Sequence, residues 1–281
     1  MTAPPVLLLG DRRRPLQDLY HGLLTRPWRV TLGVIAGGAV VINVVFALAY
    51  WLAGGVSHAH GLADDFYFSV QTAGTIGYGG MTPAGTPANV LVVVESVVSL
   101  LATALATGLV FAKFSRSTAR IRFAAHPTIS PYDGRPTLRL RVGNERGNSS
   151  IVEARFRIVF SRTYVTAEGE KVYPQTDLAL VRDHAPALSR AWTIMHTIDA
   201  QSPLHGATAA SLAEVEAELF VSVTGVDETT AQTVHARIMY DAADVAFGVR
   251  PEDILSERPD GTFIVDLGKF DGLTPVAARA A

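Results

Sequence analysis

The sequence predicts a two-part architecture: an α-helical membrane segment with two spans, then an all-β sandwich. Three observations carry this. The 281-residue chain is 48% hydrophobic and 18% charged, with a mean hydropathy of +0.24, whereas soluble domains run at roughly 25% charged. Its longest apolar runs lie before Lys113. Beyond Lys113 the pattern changes to short alternating stretches punctuated by turn formers.

Composition also excludes whole classes of function. Lys+Arg 24 against Asp+Glu 26 gives a net charge of -2, which removes the strongly basic balance of a nucleic-acid binder. The absence of cysteine removes disulfides, thiolate metal sites and cysteine nucleophiles. No G-x-S-x-G elbow or H-E-x-x-H is present in the sequence, so nothing points to an enzyme or a cofactor. His58 and His60 stand two apart in a polar loop, the spacing of solvated side chains rather than of a metal site.

The N-terminal segment, residues 1–27, carries Leu16, Leu19, Tyr20, Leu23 and Leu24 at helical spacing behind Pro15. With Arg12, Arg13 and Arg14 before it, this reads as an amphipathic helix lying along a membrane surface. A pore-forming unit is assigned to 28–113. Val30 to Ala53 is free of charge, and Val90 to Ala112 holds one charge, Glu95. Both are long enough to cross a bilayer, which takes about 20 residues, so spans are expected over about 30–53 and 90–112. Arginines flank the pair on the outside of each run, whereas Gly54 to Asn89 has no Lys or Arg. The positive-inside rule then puts both termini in the cytoplasm.

Between the spans, Asp64 and Asp65 open a short apolar stretch that predicts a helix over about 64–73. It is too short to cross, so it enters and stops. Thr75-Ile76-Gly77-Tyr78-Gly79 follows. This segment resembles the selectivity filter of potassium channels, in which stacked backbone carbonyls replace the hydration shell of a permeant K⁺. One loop supplies one wall, so four chains must surround the axis.

The remainder, 114–281, alternates with period two at Val152–Phe160. Further strands are expected at Thr137–Val142, Leu219–Thr224, Val234–Tyr240 and Phe263–Leu267, and turns at Asp133-Gly134, Asp260-Gly261 and Asp271-Gly272. These form the all-β sandwich.

Family-specific motifs extend the likeness along the chain. They include Asp18-Leu19-Tyr20-His21, Asn43 through Tyr50, Phe66 through Thr72, Gly108 through Phe114, Trp192 through Asp199, and Gly225 through Thr230. On these the chain resembles the prokaryotic inward-rectifier potassium channels, the KirBac family, within the wider voltage-gated channel family. The resemblance implies a homotetramer in the bacterial inner membrane, with an immunoglobulin-like cytoplasmic sandwich extending the pore. It implies a gate at Phe111, and a cavity lined by Ser99, Thr103 and Thr107 along the same stripe. Glu95, behind the filter, is expected to support it, with Thr72, Thr75 or the filter backbone as hydrogen-bond partners. Strong rectifiers carry an acid at the position of Thr103, so block by Mg²⁺ or polyamines is expected to be weak. Anionic, phosphoinositide-like lipid is expected to act through Arg12, Arg13, Arg14, Lys113, Arg116, Arg120 and Arg122, with an inhibitory sense. Two other readings remain: a potassium channel gated by a soluble ligand in the β domain, and a non-conducting, membrane-anchored β-domain adaptor.

Overall fold

The computed structural model describes residues 15–115, 120–146 and 149–276. Arg12, Arg13, Arg14 and Arg116, expected at the lipid surface, lie outside the described residues. The chain forms two compact units that part near residue 116.

The first unit holds four helices, α1 Pro15–Thr25, α2 Trp28–Ala53, α3 Leu62–Ala73 and α4 Gly85–Phe114. Pro27, whose fixed φ cannot continue α1 but suits a helix start, separates α1 from α2. Gly54 ends α2 at φ 62, its N–H donating to the Tyr50 carbonyl, the left-handed stop that glycine reaches cheaply. α4 begins five residues earlier than the apolar run, because Pro87 falls in its first turn, where a missing N–H costs nothing. α2 and α4 are both long and apolar enough to cross a membrane. Most of their large apolar side chains, among them Val41, Leu52, Leu100 and Leu105, are exposed in the single chain, as suits helices whose surroundings are lipid or other copies. What is buried is mainly small or polar: Thr31, Ala47 and Tyr50 of α2, and Ala88, Glu95, Ser99 and Lys113 of α4.

The second unit is β-rich, and its core draws on two sheets. One runs in the order His184–Leu188, Ile151–Ser161, Glu218–Asp227, Thr233–Asp241. The other runs Ala191–Thr197, Arg135–Asn144, Thr128–Tyr132, Ala246–Phe247. The pairings are antiparallel apart from the last, in which Ala246 lies beside Thr128 in parallel. Leu138, Leu140 and Val142 of one sheet meet Ala154, Phe156 and Ile158 of the other in the core, and Phe156 stacks on Trp192 with ring centroids 6.1 Å apart. Asp133 and Gly134 both take positive φ, 51 and 75, the two-residue turn that matches strand twist. The predicted strand Phe263–Leu267 ends at Val265, and a 3-10 turn takes Leu267–Lys269.

Candidate functional site: the pore loop and the inner end of the second span

α3 carries Asp64 and Asp65 in its first turn, and Asp64 accepts the backbone N–H of His60 at 2.8 Å. Acids at this end and none at the other suit the helix dipole, leaving partial negative charge at the C-terminal end. Three backbone hydrogen bonds fasten the following loop to that end: Gly74 to Val70, Thr75 to Thr72 and Ile76 to Gln71, at 2.9, 3.1 and 2.8 Å. The loop then alternates in handedness. Thr75, Gly77 and Gly79 have φ of 55, 59 and 81, whereas Ile76 and Tyr78 are not among the positive-φ residues. Alternating left- and right-handed residues turn successive peptide groups to one side, the arrangement a column of carbonyl oxygens requires. Glycine supplies two of the three left-handed positions without a steric penalty.

Glu95 of α4 is fully buried. Its partners differ from those expected. Tyr50 of α2 donates its hydroxyl proton to Glu95 Oε2 at 2.6 Å, and the Ser69 hydroxyl of α3 makes a very short contact with Oε1. Ser69 also lies 3.0 Å from Asn43 Oδ1, so one polar network joins α2, α3 and α4. Thr72 does not take part. Its hydroxyl is spent on the Phe68 carbonyl of its own helix, at 2.9 Å, as a threonine four residues on readily does. Sequence reasoning missed Tyr50, Ser69 and Asn43. The signal was present, since Asn43, Ala47 and Tyr50 fall at i, i+4 and i+7 and put the polar interruptions of α2 on one face.

The expected cavity stripe is not one surface. Ser99 is buried and its hydroxyl has no partner among the described residues, whereas Thr103, Thr107 and Phe111 are open in the single chain. A four-residue step advances a helix by about 40° beyond a full turn, so Ser99 shares the packed face of Glu95 and the stripe drifts open further along. Phe111 is 70% exposed.

Lys113 also departs from its expected role. It is 8% exposed, and its ammonium donates to the Leu23 carbonyl at 2.8 Å, the Arg26 carbonyl at 2.5 Å and the Thr31 hydroxyl at 2.8 Å. The Trp28 ring lies 5.4 Å away. These contacts use its three protons and cap the C-terminal end of α1, so the charge is turned toward protein rather than toward a headgroup. Arg122 is likewise committed, to Asp271 at 2.6 Å and over the Phe270 ring. Burial raises the Asp271 carboxyl, but its bonds to Arg122 and the Ala125 N–H hold it below its usual range. Arg120 remains exposed. Among the described residues no group of acids and histidines is placed to hold a metal ion.

Comparison with known proteins agrees with this organisation. The model of the inward rectifier potassium channel transmembrane domain matches residues 8–117, and that of the inward rectifier potassium channel C-terminal domain matches 121–281. The chain is 40% identical over 263 residues to the inward rectifier potassium channel Kirbac3.1 of Paramagnetospirillum magnetotacticum, covering 92% of this chain and 89% of that protein. It is 30% identical to the ATP-sensitive inward rectifier potassium channel 8 of Homo sapiens, over 96% and 71% of the two chains. To the human ATP-sensitive inward rectifier potassium channel 11 it is 31% identical, over 95% and 75%. These relatives are ion channels, not enzymes, and they lend no support to the wider voltage-gated grouping. With both halves matched, and with the closest of these three likenesses to a bacterial protein, the chain belongs to the inward rectifier potassium channels, in their prokaryotic branch.

Proposed function

We propose that the chain forms a homotetrameric, K⁺-selective channel with Thr75–Gly79 as its filter. The observation that carries this is the alternating backbone of Thr75, Gly77 and Gly79 at the C-terminal end of α3. Four such loops around an axis present rings of carbonyl oxygens, with the Thr75 hydroxyls adding a further ring. Glu95, held by Tyr50 and Ser69, braces the loop from behind. Thr103 and Thr107 line the cavity, and Phe111 closes the inner end of α4. The pore unit is 28–113, with the N-terminal segment 1–27 at the inner surface and 114–281 as the cytoplasmic vestibule. The channel sits in the bacterial inner membrane with both termini in the cytoplasm.

Anionic lipid of the phosphoinositide type acts on this gate. Arg12, Arg13, Arg14, Arg116 and Arg120 are the residues that meet it, each basic side chain near an anionic surface contributing about 1 kcal/mol. Lys113 serves differently, as the joint through which α1 and the inner end of α4 move together. Mg²⁺ and polyamines block only weakly, because Thr103 is neutral.

The test is rubidium uptake into liposomes holding the purified protein. The expected result is uptake driven by a K⁺ gradient, excluded to Na⁺, and abolished by Gly77→Ala, whose β-carbon opposes the left-handed backbone. Undiminished selective uptake in that variant overturns the filter assignment.

A further inference from the structure

The strand Arg135–Asn144 turns Leu138, Leu140 and Val142 into the core, so Arg139 and Arg141 share its opposite face. Both arginines are buried, at 8% and 6% exposed, yet they are satisfied unequally. Arg141 donates to the carbonyls of Lys269, Phe270 and Glu252 and lies near Asp253 and Asp271. Among the described residues Arg139 donates to one side chain, the Ser130 hydroxyl at 2.5 Å, while its Nε–H is buried with no partner. The Tyr132 ring lies 5.5 Å from its guanidinium carbon. Another cation, Arg250, stands on the strand Val249–Pro251, which packs against the strands that carry Ser130 and Arg139. Burial first, and then Arg250, press its pKa below the ordinary guanidinium value.

Arginine remains charged in proteins, and a buried charge is ordinarily paired. Here a second arginine stands on a strand packed against the Arg139 and Ser130 strands, and a buried Arg139 N–H donor has no acceptor among the described residues. Ser130 accepts from Arg139 and keeps its own hydroxyl proton to donate. Guanidinium groups take tetrahedral oxyanions through fixed, fork-like donors, and two of them balance a dianion.

We propose that Arg139, Arg250 and Ser130 form an oxyanion site in the β domain, one that takes a phosphate group. The site does not depend on conduction, so it stands or falls apart from the channel reading. It supplies a phosphate-ligand input to the β domain.

The experiment is equilibrium dialysis of the intact channel in detergent against radiolabelled inorganic phosphate, at fixed ionic strength set by chloride. Saturable retention approaching one phosphate per chain is expected. Arg250→Gln changes an exposed residue and leaves the fold intact; it should weaken retention roughly tenfold, the loss of one charge-assisted contact. Arg139→Met should abolish retention, and Arg139→Lys, which keeps the charge but not the fork, should weaken it similarly. Competition identifies the source of the phosphate. Displacement by vesicles containing a phosphoinositide, but not by neutral vesicles, supports the site with a headgroup as occupant; no displacement by either supports it with a soluble phosphate. Absence of saturable retention by the unmodified channel, or retention unchanged in both Arg250→Gln and Arg139→Lys, overturns the proposal.

Discussion

Tyr50 and Glu95, one on each membrane-spanning helix, meet at 2.6 Å in a fully buried hydrogen bond. A carboxyl group at this depth is costly unless protein groups satisfy it, and among the described residues the groups that bond it are hydroxyls from α2 and α3. The Tyr50 ring also packs edge-on to Phe68 of α3, 5.0 Å between centroids. One tyrosine therefore holds both the acid and the helix that leads into Thr75–Gly79. Tyr50→Phe keeps the ring contact and removes only the donor. The expected cost is about 1.5–3 kcal/mol, read as a lower melting midpoint of the purified channel and reduced preference of liposome uptake for K⁺ over Na⁺. Ser69→Ala should act alike, and the double variant should lose less than the sum, because the two share one acceptor residue. Full additivity would mean that the hydroxyls act separately.

Lys113 offers a second test, because its two readings give opposite results. As a joint, it ties the Leu23 and Arg26 carbonyls to a position two residues beyond Phe111. Lys113→Met then changes basal rubidium flux and lowers thermal stability by about 2 kcal/mol or more, as expected for loss of charge-assisted bonds. The fractional response to phosphoinositide should persist, carried by the exposed and N-terminal arginines. A variant with normal basal flux and no lipid response would return Lys113 to the headgroup role.

Much of the pore unit is legible in the sequence because membrane physics leaves a coarse signature. Long runs with at most one charge read as spans, and Thr75–Gly79 stands between them as a motif that resembles a selectivity filter. The β domain is legible as strands through period-two alternation, and Asp133-Gly134 as a turn through its chemistry. Tertiary pairing is not legible in this way. Lys113 looks like any basic residue after a span, and only the folded chain brings the end of α1 within its reach. The resemblance offers Thr72 as a partner for Glu95, but its own helix offers the Phe68 carbonyl first. Arg139 and Arg141 differ in sequence by nothing that predicts which will be satisfied. The C-terminal segment decides it, by presenting carbonyls to one of them.

The Asp227 turn predicts an acid-sensitive β domain. Its carboxylate is 1% exposed and accepts the N–H groups of Thr229 and Thr230 at 3.1 and 3.0 Å, the Thr230 hydroxyl, and Arg146 at 2.7 Å. Burial alone raises the pKa, but the Thr230 bonds, Arg146 and the Thr229 N–H together hold it below the ordinary aspartate value. A group depressed in the folded state contributes stability above its unfolded pKa, about 3.9, and loses it as pH falls through the folded value. Thermal melts of the unmodified protein should therefore weaken below about pH 4. Asp227→Asn should cost about 2 kcal/mol at neutral pH and flatten that part of the profile. An unchanged acid limb in the variant would place the sensitivity elsewhere.

Rectification gives the last test, and it turns on Thr103. This residue lies eight positions beyond Glu95 on α4 and is open in the single chain, unlike Ser99 on the packed face. In a tetramer, four Thr103 side chains would present hydroxyls and no charge to a cation in the cavity. A carboxylate about 6 Å from a cationic amine contributes roughly 2–3 kcal/mol at an effective dielectric near 20. Four carboxylates facing a multivalent amine would therefore favour its entry by several kcal/mol more than four hydroxyls. Unmodified channels should show shallow block by spermine on the cytoplasmic side, whereas Thr103→Asp should show deep block that steepens with voltage. Ser99→Asp is the control. Its side chain points into packed protein, so the variant should disturb folding or filter stability without creating the same block. Equal spermine block of Thr103→Asp and the unmodified channel in planar bilayers would mean that the open face of α4 at Thr103 does not line the conduction path.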